Sequence, residues 1–183
     1  MKNTFYLLLT VLMVLAAKTS YAQTIYQIID DKIVMTETLS VDSPDDVPSA
    51  FANFVNRQGG CVKGTYFSGE KTHYTDILTP ILFVSKYAAE ARGVVHIDIS
   101  LSGRKAIVTL TSDAVNLFFS NTRITRQYNP ATNYPVSSFF KQENTYLDQD
   151  DVLTTFNGLI KTMRKLKSSL CDILQNAEKG VYL

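Results

Sequence analysis

Residues 94–112, VVHIDISLSGRKAIVTLTS, decide the fold of this chain. Apolar and polar residues alternate on both sides of the turn Ser102-Gly103-Arg104, and a period of two is typical of a strand with one buried face. Two such runs joined by a turn that contains glycine predict an antiparallel β-hairpin. The chain therefore has an antiparallel sheet that buries one side and leaves polar residues on the other.

Residues 30–57, DDKIVMTETLSVDSPDDVPSAFANFVNR, predict a strand followed by a helix. Alternating apolar residues indicate the strand up to Ser40, Ser43 can cap a helix, and Pro44 suits its first turn. Gly59-Gly60 then stops the helix. The apolar face of this helix comprises Val47, Ala50, Phe51, Phe54 and Val55.

The remaining elements complete an α+β pattern. Residues 61–70 and 79–88 are rich in β-branched and aromatic residues, so they predict two strands, with a helix over 85–92 as the alternative for the second. An apolar stripe predicts a long final helix over 149–178, capped by Asp148. The order β-α-β-β-β-β-α predicts an antiparallel sheet of about five strands. Both helices lie on one face, because each element has one apolar side to bury.

The order and its landmarks resemble a family of exported bacterial domains of unknown function with a TBP-like fold. The resemblance rests on residues 30–57 and 94–112, Tyr134-Pro135 and the final apolar-striped helix, and it spans most of the chain. It implies the fold and no activity. The likeness to TBP concerns shape alone, since a fold does not carry a function with it.

The first 22 residues predict a cleavable export signal. Lys2 precedes the apolar run Phe5–Ala17, and Ser20-Tyr21-Ala22 has the small residues that a signal peptidase recognises. The apolar run would span about 20 Å as a helix, short of the ~30 Å hydrocarbon core. We expect a single domain over residues 23–183 that is periplasmic or secreted. The residue directly after the cleavage position is Gln23 rather than a cysteine, and no later apolar run is long enough to span a bilayer, so we expect neither a lipid anchor nor a membrane span.

The charge balance argues against a nucleic-acid partner. The chain has 18 Lys and Arg against 17 Asp and Glu, and loss of Lys2 and Lys18 with the signal leaves 16 against 17. Binding to nucleic acid or to an anionic membrane needs a concentrated positive field, which this composition lacks.

The two cysteines, Cys61 and Cys171, could form a disulfide in an oxidising compartment. The bridge would connect the start of a predicted strand to the final helix. The alternative is a pair of free thiols that act as small apolar side chains.

His96 and Asp98 are the candidate catalytic pair. They share one face of a strand, so the carboxylate could orient the imidazole as a general base for a nucleophile such as Ser100. The alternative is that His96 and Asp98 are ordinary polar residues at the solvent-facing positions of an alternating strand. His73 is predicted to lie on the surface or in a loop. The sequence has no CxxC spacing, nucleophile elbow or phosphate loop, so it predicts no metal and no cofactor.

Two charged clusters lie on the final helix. Asp148, Asp150 and Asp151 stand at its start, where acids favour the helix dipole, and they lack the spacing of a calcium loop. A basic cluster is predicted to be the solvated face of the helix: Lys161, Arg164, Lys165 and Lys167.

Residues 120–147 form a long polar stretch with scattered aromatic residues. Tyr128, Tyr134 and Phe140, with Arg126, are candidates for contact with a ligand or a protein partner; the alternative is that the rings seal the core. The sequence thus predicts an exported, non-catalytic binding or interaction domain of the cell envelope. The alternatives are a hydrolytic enzyme centred on His96 and Asp98, and a structural component that self-associates.

Overall fold

The structure, a computed structural model, describes residues 26–67, 70–84, 90–118, 132–141 and 147–176, with the backbone alone at 61–67, 70–72 and 132. The strands are β1 (Gln27–Ile29), β2 (Lys32–Ser40), β3 (Cys61–Phe67), β4 (Glu70–Leu78), β5 (Glu90–Ser102), β6 (Lys105–Phe118) and β7 (Thr132–Pro135). The helices are α1 (Val47–Arg57), which follows a single 3-10 turn, α2 (Ser137–Phe140) and α3 (Gln149–Gln175).

The seven strands form one antiparallel sheet. Six of them lie in the order β1-β2-β6-β5-β4-β3, and β7 pairs with the far end of β6. The predicted hairpin at 94–112 is the β5–β6 pair, and Gly103 adopts the positive φ of 56° that its turn requires. A second hairpin joins β1 to β2 through Asp30 and Asp31, which tolerate positive φ better than most residues.

Both long helices lie on the same face of the sheet. α3 packs on β2, β5 and β6, while α1 packs on β3 and β4 and touches α3. The apolar faces predicted for both helices supply most of the core on the helix side. Asp148 caps α3 as predicted, since its carboxylate accepts the Asp151 N–H at 2.9 Å. Ser43 makes no side-chain capping bond, so that prediction is wrong. The predicted α+β architecture, an antiparallel sheet with both long helices on one face, is confirmed.

The sheet has seven strands where the sequence predicted about five, and the strand predicted to begin at residue 79 is not present there. The strand predicted over 79–88 is wrong over 79–84, because β4 ends at Leu78 and these residues make one isolated bridge, from Phe83 to Ala91; residues 85–88 lie outside the described part of the chain. Pro80 lacks an N–H donor, and Ile81 and Val84 are largely exposed. The alternative helix over 85–92 is also wrong where it can be compared, since 90–92 belong to β5.

A close approach of α3 to β5 holds the two layers together. A Cβ at Gly93 would collide with Leu159 of α3, so this strand position accommodates only glycine without rearrangement. The Gly93 N–H donates to the Thr79 hydroxyl at 2.8 Å, and the Thr79 N–H donates to the Gly93 carbonyl at 2.9 Å. The fully buried Thr79 therefore ties the end of β4 to β5.

Part of the predicted long loop is regular. Thr132–Pro135 is β7 and Ser137–Phe140 is α2, while 119–131 and 142–146 lie outside the described residues. Within the part of the chain that the structure describes, no helix is long and apolar enough to cross a membrane.

Candidate functional site: the open face of the sheet

The face of the sheet turned away from α1 and α3 carries a polar cluster at its centre together with the exposed apolar side chains of Leu78 and Ile107, and we call it the open face. Strand alternation places the even-numbered residues of β4 and β5 on it, because the odd-numbered ones are buried against the helices. Among the described elements, the long helices pack only on the other face. The open face carries Tyr74, Asp76, His96, Asp98, Ser100, Thr109 and Thr111 in its central strands.

Cross-strand register brings His96 next to Asp76. The two residues are direct partners in the β4–β5 ladder, and the imidazole Nδ1 lies 2.6 Å from Asp76 Oδ1. Tyr74 stands two residues before Asp76 on the same strand, opposite Asp98. The residues come from different strands, so no local sequence motif contains them.

A β-bulge brings a second carboxylate to the same histidine. Val94 pairs with Ala114 and His96 with Thr111, so two residues of β6, Ser112 and Asp113, lie opposite Val95. Bulges bend a strand and re-aim its side chains. Here the Ser112 hydroxyl donates to the Val94 carbonyl at 2.7 Å, and Asp113 Oδ1 lies 3.0 Å from His96 Nε2.

His96 is therefore held between two carboxylates through both ring nitrogens. With both carboxylates ionised, both contacts are hydrogen bonds only when both ring nitrogens carry a proton, which makes the ring an imidazolium. Burial of the ring opposes this charge, but the hydrogen bonds and the negative charges of Asp76 and Asp113 outweigh it and raise the pKa of His96 above 6.5. The side chain of His96 is 22% exposed, so solvent screens the cluster only in part.

Tyr74 is the fourth member of the cluster. A hydrogen bond from its hydroxyl to Asp76, together with burial and the nearby carboxylates, raises the pKa of Tyr74 to about 12. The hydroxyl oxygen also lies 3.0 Å from His96 Nδ1, and the two rings are nearly parallel, at 13°. Tyr74 therefore remains a neutral hydrogen-bonding group at physiological pH.

Asp98 shares the open face with His96, as the sequence indicated, but the hydrogen-bonding carboxylates of His96 are those of Asp76 and Asp113. Burial raises the pKa of Asp98; the charge of His96 lowers it and that of Asp76 raises it, with a net increase. Sequence reasoning missed Tyr74, Asp76 and Asp113. One feature of the sequence could have pointed to this cluster: the charged residue Asp113 interrupts the alternation of apolar and polar residues in its strand.

This geometry does not suit the hydrolytic mechanism. A general base needs an unprotonated nitrogen directed at the nucleophile, whereas both nitrogens of His96 face carboxylates. Ser100 lies four residues along the same strand, about 13 Å away at the usual rise per residue. The cluster is arranged to hold charge in a fixed position rather than to remove a proton.

The other predicted site residues are dispersed. Tyr134 is a half-buried residue of β7 that packs against the core, and Tyr128 and Arg126 lie outside the described residues. Phe140 meets Phe156 edge to face at 6.3 Å and lines a shallow apolar groove of about 230 Å³ between α2 and α3. Phe140 thus borders a cavity, whereas Tyr134 packs against the core.

The structure differs from the predictions for His73 and for the cysteine pair. His73 is buried and packs edge to face on Phe51 at 6.1 Å, so it is not a surface histidine. Cys171 carries a free thiol, so the possible Cys61–Cys171 bridge is not formed. The thiol lies near Glu37 of β2, whereas Cys61 is in β3, four strand spacings or about 19 Å across the sheet. A disulfide requires Cα atoms within about 7 Å.

No group of three or more His, Cys, Asp or Glu among the described residues has an arrangement that could hold a metal ion. On α3, Lys161, Arg164 and Lys165 are exposed as predicted. Lys167 instead donates to Glu37 at 2.7 Å and is largely covered.

Solved structures that are similar to this chain include two with the same fold. A TBP-like protein from Parabacteroides distasonis superposes with a TM-score of 0.58 at 13% identity, over 83% of this chain and 98% of that one. A DUF4468 family protein from Bacteroides ovatus gives a TM-score of 0.50 at 8% identity, over 87% and 93%. No family model and no curated protein matches the sequence. At these identities the likeness establishes the fold alone, which agrees with the TBP-like shape that the sequence resemblance implied.

Proposed function

We propose that this chain is an exported, non-catalytic binding domain whose open face accepts a positively charged surface of a partner protein. One observation carries the proposal. Three carboxylates, those of Asp76, Asp98 and Asp113, stand together on a face that the long helices leave uncovered. With His96 protonated, the cluster has a net charge of about −2, so it attracts cations and repels anions.

The fixed geometry of the cluster supports a binding role. Asp76 and Asp113 are held by His96, so their charges are already in place before a partner arrives. A preorganised surface loses less conformational entropy on binding than a mobile one. Around the cluster, the hydroxyls of Thr36, Thr109 and Thr111 can both donate and accept hydrogen bonds.

A labelled oligolysine peptide tests the open face directly. We expect the chain from Gln23 onward to bind this probe, with the dissociation constant rising steeply with salt. Asp98→Asn/Asp113→Asn should weaken binding about tenfold or more. Asp42→Asn/Asp46→Asn removes the same charge at exposed positions before α1 and should leave the affinity nearly unchanged. Equal losses in the two variants, or no binding at low salt, would contradict the proposal.

Export is tested separately on the full chain. The apolar run Phe5–Ala17 and the small residues before Gln23 support the proposal that residues 1–22 direct export and are removed. In a bacterial host we expect the mature protein outside the cytoplasm with Gln23 as its first residue. Ala22→Arg should block cleavage. Recovery of full-length wild-type protein from the cytoplasm would overturn this part of the proposal.

A further inference from the structure

The side of the domain opposite the open face carries a concentrated positive charge. Lys161, Arg164 and Lys165 are all exposed on the outer face of α3, and we call them the basic stripe. Positions three and four apart on a helix are neighbours, so the three charges lie within about one turn. Lys167 is excluded from the stripe, because Glu37 of β2 holds its ammonium group.

The basic stripe and the carboxylates of the open face cannot meet within one molecule. The buried face of α3, with Leu159, Met163 and Leu170, rests on the inner side of the sheet. The basic stripe points away from that contact, and the open face is the outer side of the same sheet. The domain is thus a two-layer unit that presents the basic stripe on its helix side and the carboxylate cluster of Asp76, Asp98 and Asp113 on its sheet side.

We propose that the partner of the open face is the basic stripe of a second copy of this chain. This inference rests on the proposed function and identifies its partner. In the contact, α3 of one copy lies across the central strands of the next. A positive charge of three faces a cluster of about −2, and the polar residues beside the stripe, Asn157 and Ser168, meet the threonine hydroxyls.

The dimensions are compatible with a weak contact. Four strands, β4, β5, β6 and β2, make the open face about 19 Å wide, and eight residues of each give a length of about 27 Å. α3 has 27 residues and is about 40 Å long, enough to span it. A helix is about 11 Å across, so the contact would cover roughly 300 Å² on each copy, about 600 Å² in total, which is the size of a weak contact. We therefore expect association that depends on concentration and salt.

The contact is head-to-tail, because it joins two different surfaces. A row of associated copies keeps one unused open face at one end and one unused basic stripe at the other. Assembly therefore does not stop at a dimer unless the rotation closes a ring. Sedimentation velocity of the chain from Gln23 onward should show a weight-average sedimentation coefficient that rises with concentration at low salt. At about 1 M salt, where charges are screened beyond ~3 Å, the monomer should predominate.

Two variants, each with one surface inactivated, test the arrangement. Lys161→Glu/Lys165→Glu removes the basic stripe, and Asp98→Lys disables the open face. Each alone should associate at least about tenfold more weakly than the wild type. A mixture of the two should form dimers and nothing larger, because only one productive pair of surfaces remains. Arg104→Glu, a charge reversal in the turn between β5 and β6, should associate nearly like the wild type.

The outcomes separate this inference from the proposed function. A wild-type chain that stays monomeric at low salt while oligolysine binds its open face would overturn self-association and leave the proposed function standing. Association that persists in the Lys161→Glu/Lys165→Glu variant would also overturn it. If Asp98→Lys fails to fold by circular dichroism, Asp98→Asn replaces it, with a smaller expected weakening. If the wild-type chain neither associates nor binds oligolysine at low salt, both proposals are overturned.

Discussion

The imidazole Nε2 of His96 lies 3.0 Å from Oδ1 of Asp113, on the neighbouring strand, at the point where β6 carries one extra residue. The bulge matters because a regular ladder pairs residues one to one, and Asp113 would then not stand beside a ring that already contacts Asp76. The Asp113 carbonyl also accepts the Val136 N–H at 2.7 Å, which joins the bulge to the segment between β7 and α2. The position of the second carboxylate therefore depends on three strands.

We expect the contribution of His96 to stability to fall as pH rises. The pKa of His96 is raised in the folded state, so the folded chain holds this proton more tightly than the unfolded one. Its stabilisation is fully present below about pH 6.5 and is lost as pH rises through the folded pKa. The groups that face the ring are Tyr74, Asp76, Asp98 and Asp113.

His96→Gln measures this contribution in urea unfolding across the pH range. Below pH 6.5 the variant should be less stable by about 1–3 kcal/mol, the usual value of hydrogen bonds to charged groups. The difference from the wild type should shrink in alkaline solution. A difference that stays constant with pH, or grows, would contradict the imidazolium assignment.

Gly93→Ala should destabilise the fold by about 1–3 kcal/mol, because the new methyl group would enter the space of Leu159. Gly158→Ala is the matched control on α3. There the nearest atoms to the added carbon, on Leu82, lie at ordinary contact distance, and alanine favours a helix by up to about 1 kcal/mol. Free energies of unfolding from urea titration compare the two. Equal stabilities of both variants would refute the close approach of α3 to β5.

Thr79→Val should cost about 1–3 kcal/mol, because it leaves the buried Gly93 N–H without an acceptor. Thr79→Ser keeps the hydroxyl and should retain most of the stability. Hydrogen exchange at the Gly93 amide is the specific measurement, and we expect it to quicken in Thr79→Val relative to Thr79→Ser. Similar exchange in the two variants would mean that the hydroxyl is not the acceptor.

The two cysteines should be free thiols in the mature protein. Alkylation after denaturation without reductant should add two labels, as measured by mass spectrometry. In the native Cys61→Ser variant, Cys171 should react slowly near neutral pH, because burial and the charge of Glu37 raise its pKa to about 11 and the thiolate is the reactive form. A mass that shows a Cys61–Cys171 bridge would contradict the separation of β3 from α3.

Much of the fold was accessible from the sequence, because it follows from local patterns. Strand alternation at 94–112 and the apolar stripe of α3 each specify one buried side, and two layers follow from burying them together. The prediction failed over 79–88, where apolar composition suggested a strand. Pro80 and the exposed side chains of Ile81 and Val84 belong instead to an irregular segment whose backbone bonds to β5 at Thr79, Leu82 and Phe83.

The candidate site was less accessible for a different reason. Alternation correctly placed His96 and Asp98 on one polar face, but it gave no information about the strands on either side. A neighbour in sequence, Asp98, was therefore assigned the role that Asp76 and Asp113 fill across the ladder. His73 was predicted to be exposed for the same reason, since its polar surroundings in sequence hid its contact with Phe51.

The sequence by itself determined the α+β class, the buried side of the β5–β6 hairpin, the length of α3 and its cap at Asp148, because each depends on residues a few positions apart. Tertiary structure alone decided the strand order, the bulge at Asp113 and the charge state of His96. Those features depend on which strands lie side by side, and register brings together residues 17 to 20 positions apart in the chain. The same packing separates Cys61 from Cys171 and places the basic stripe and the carboxylates on opposite sides of the domain, because α3 must turn its apolar side to the sheet.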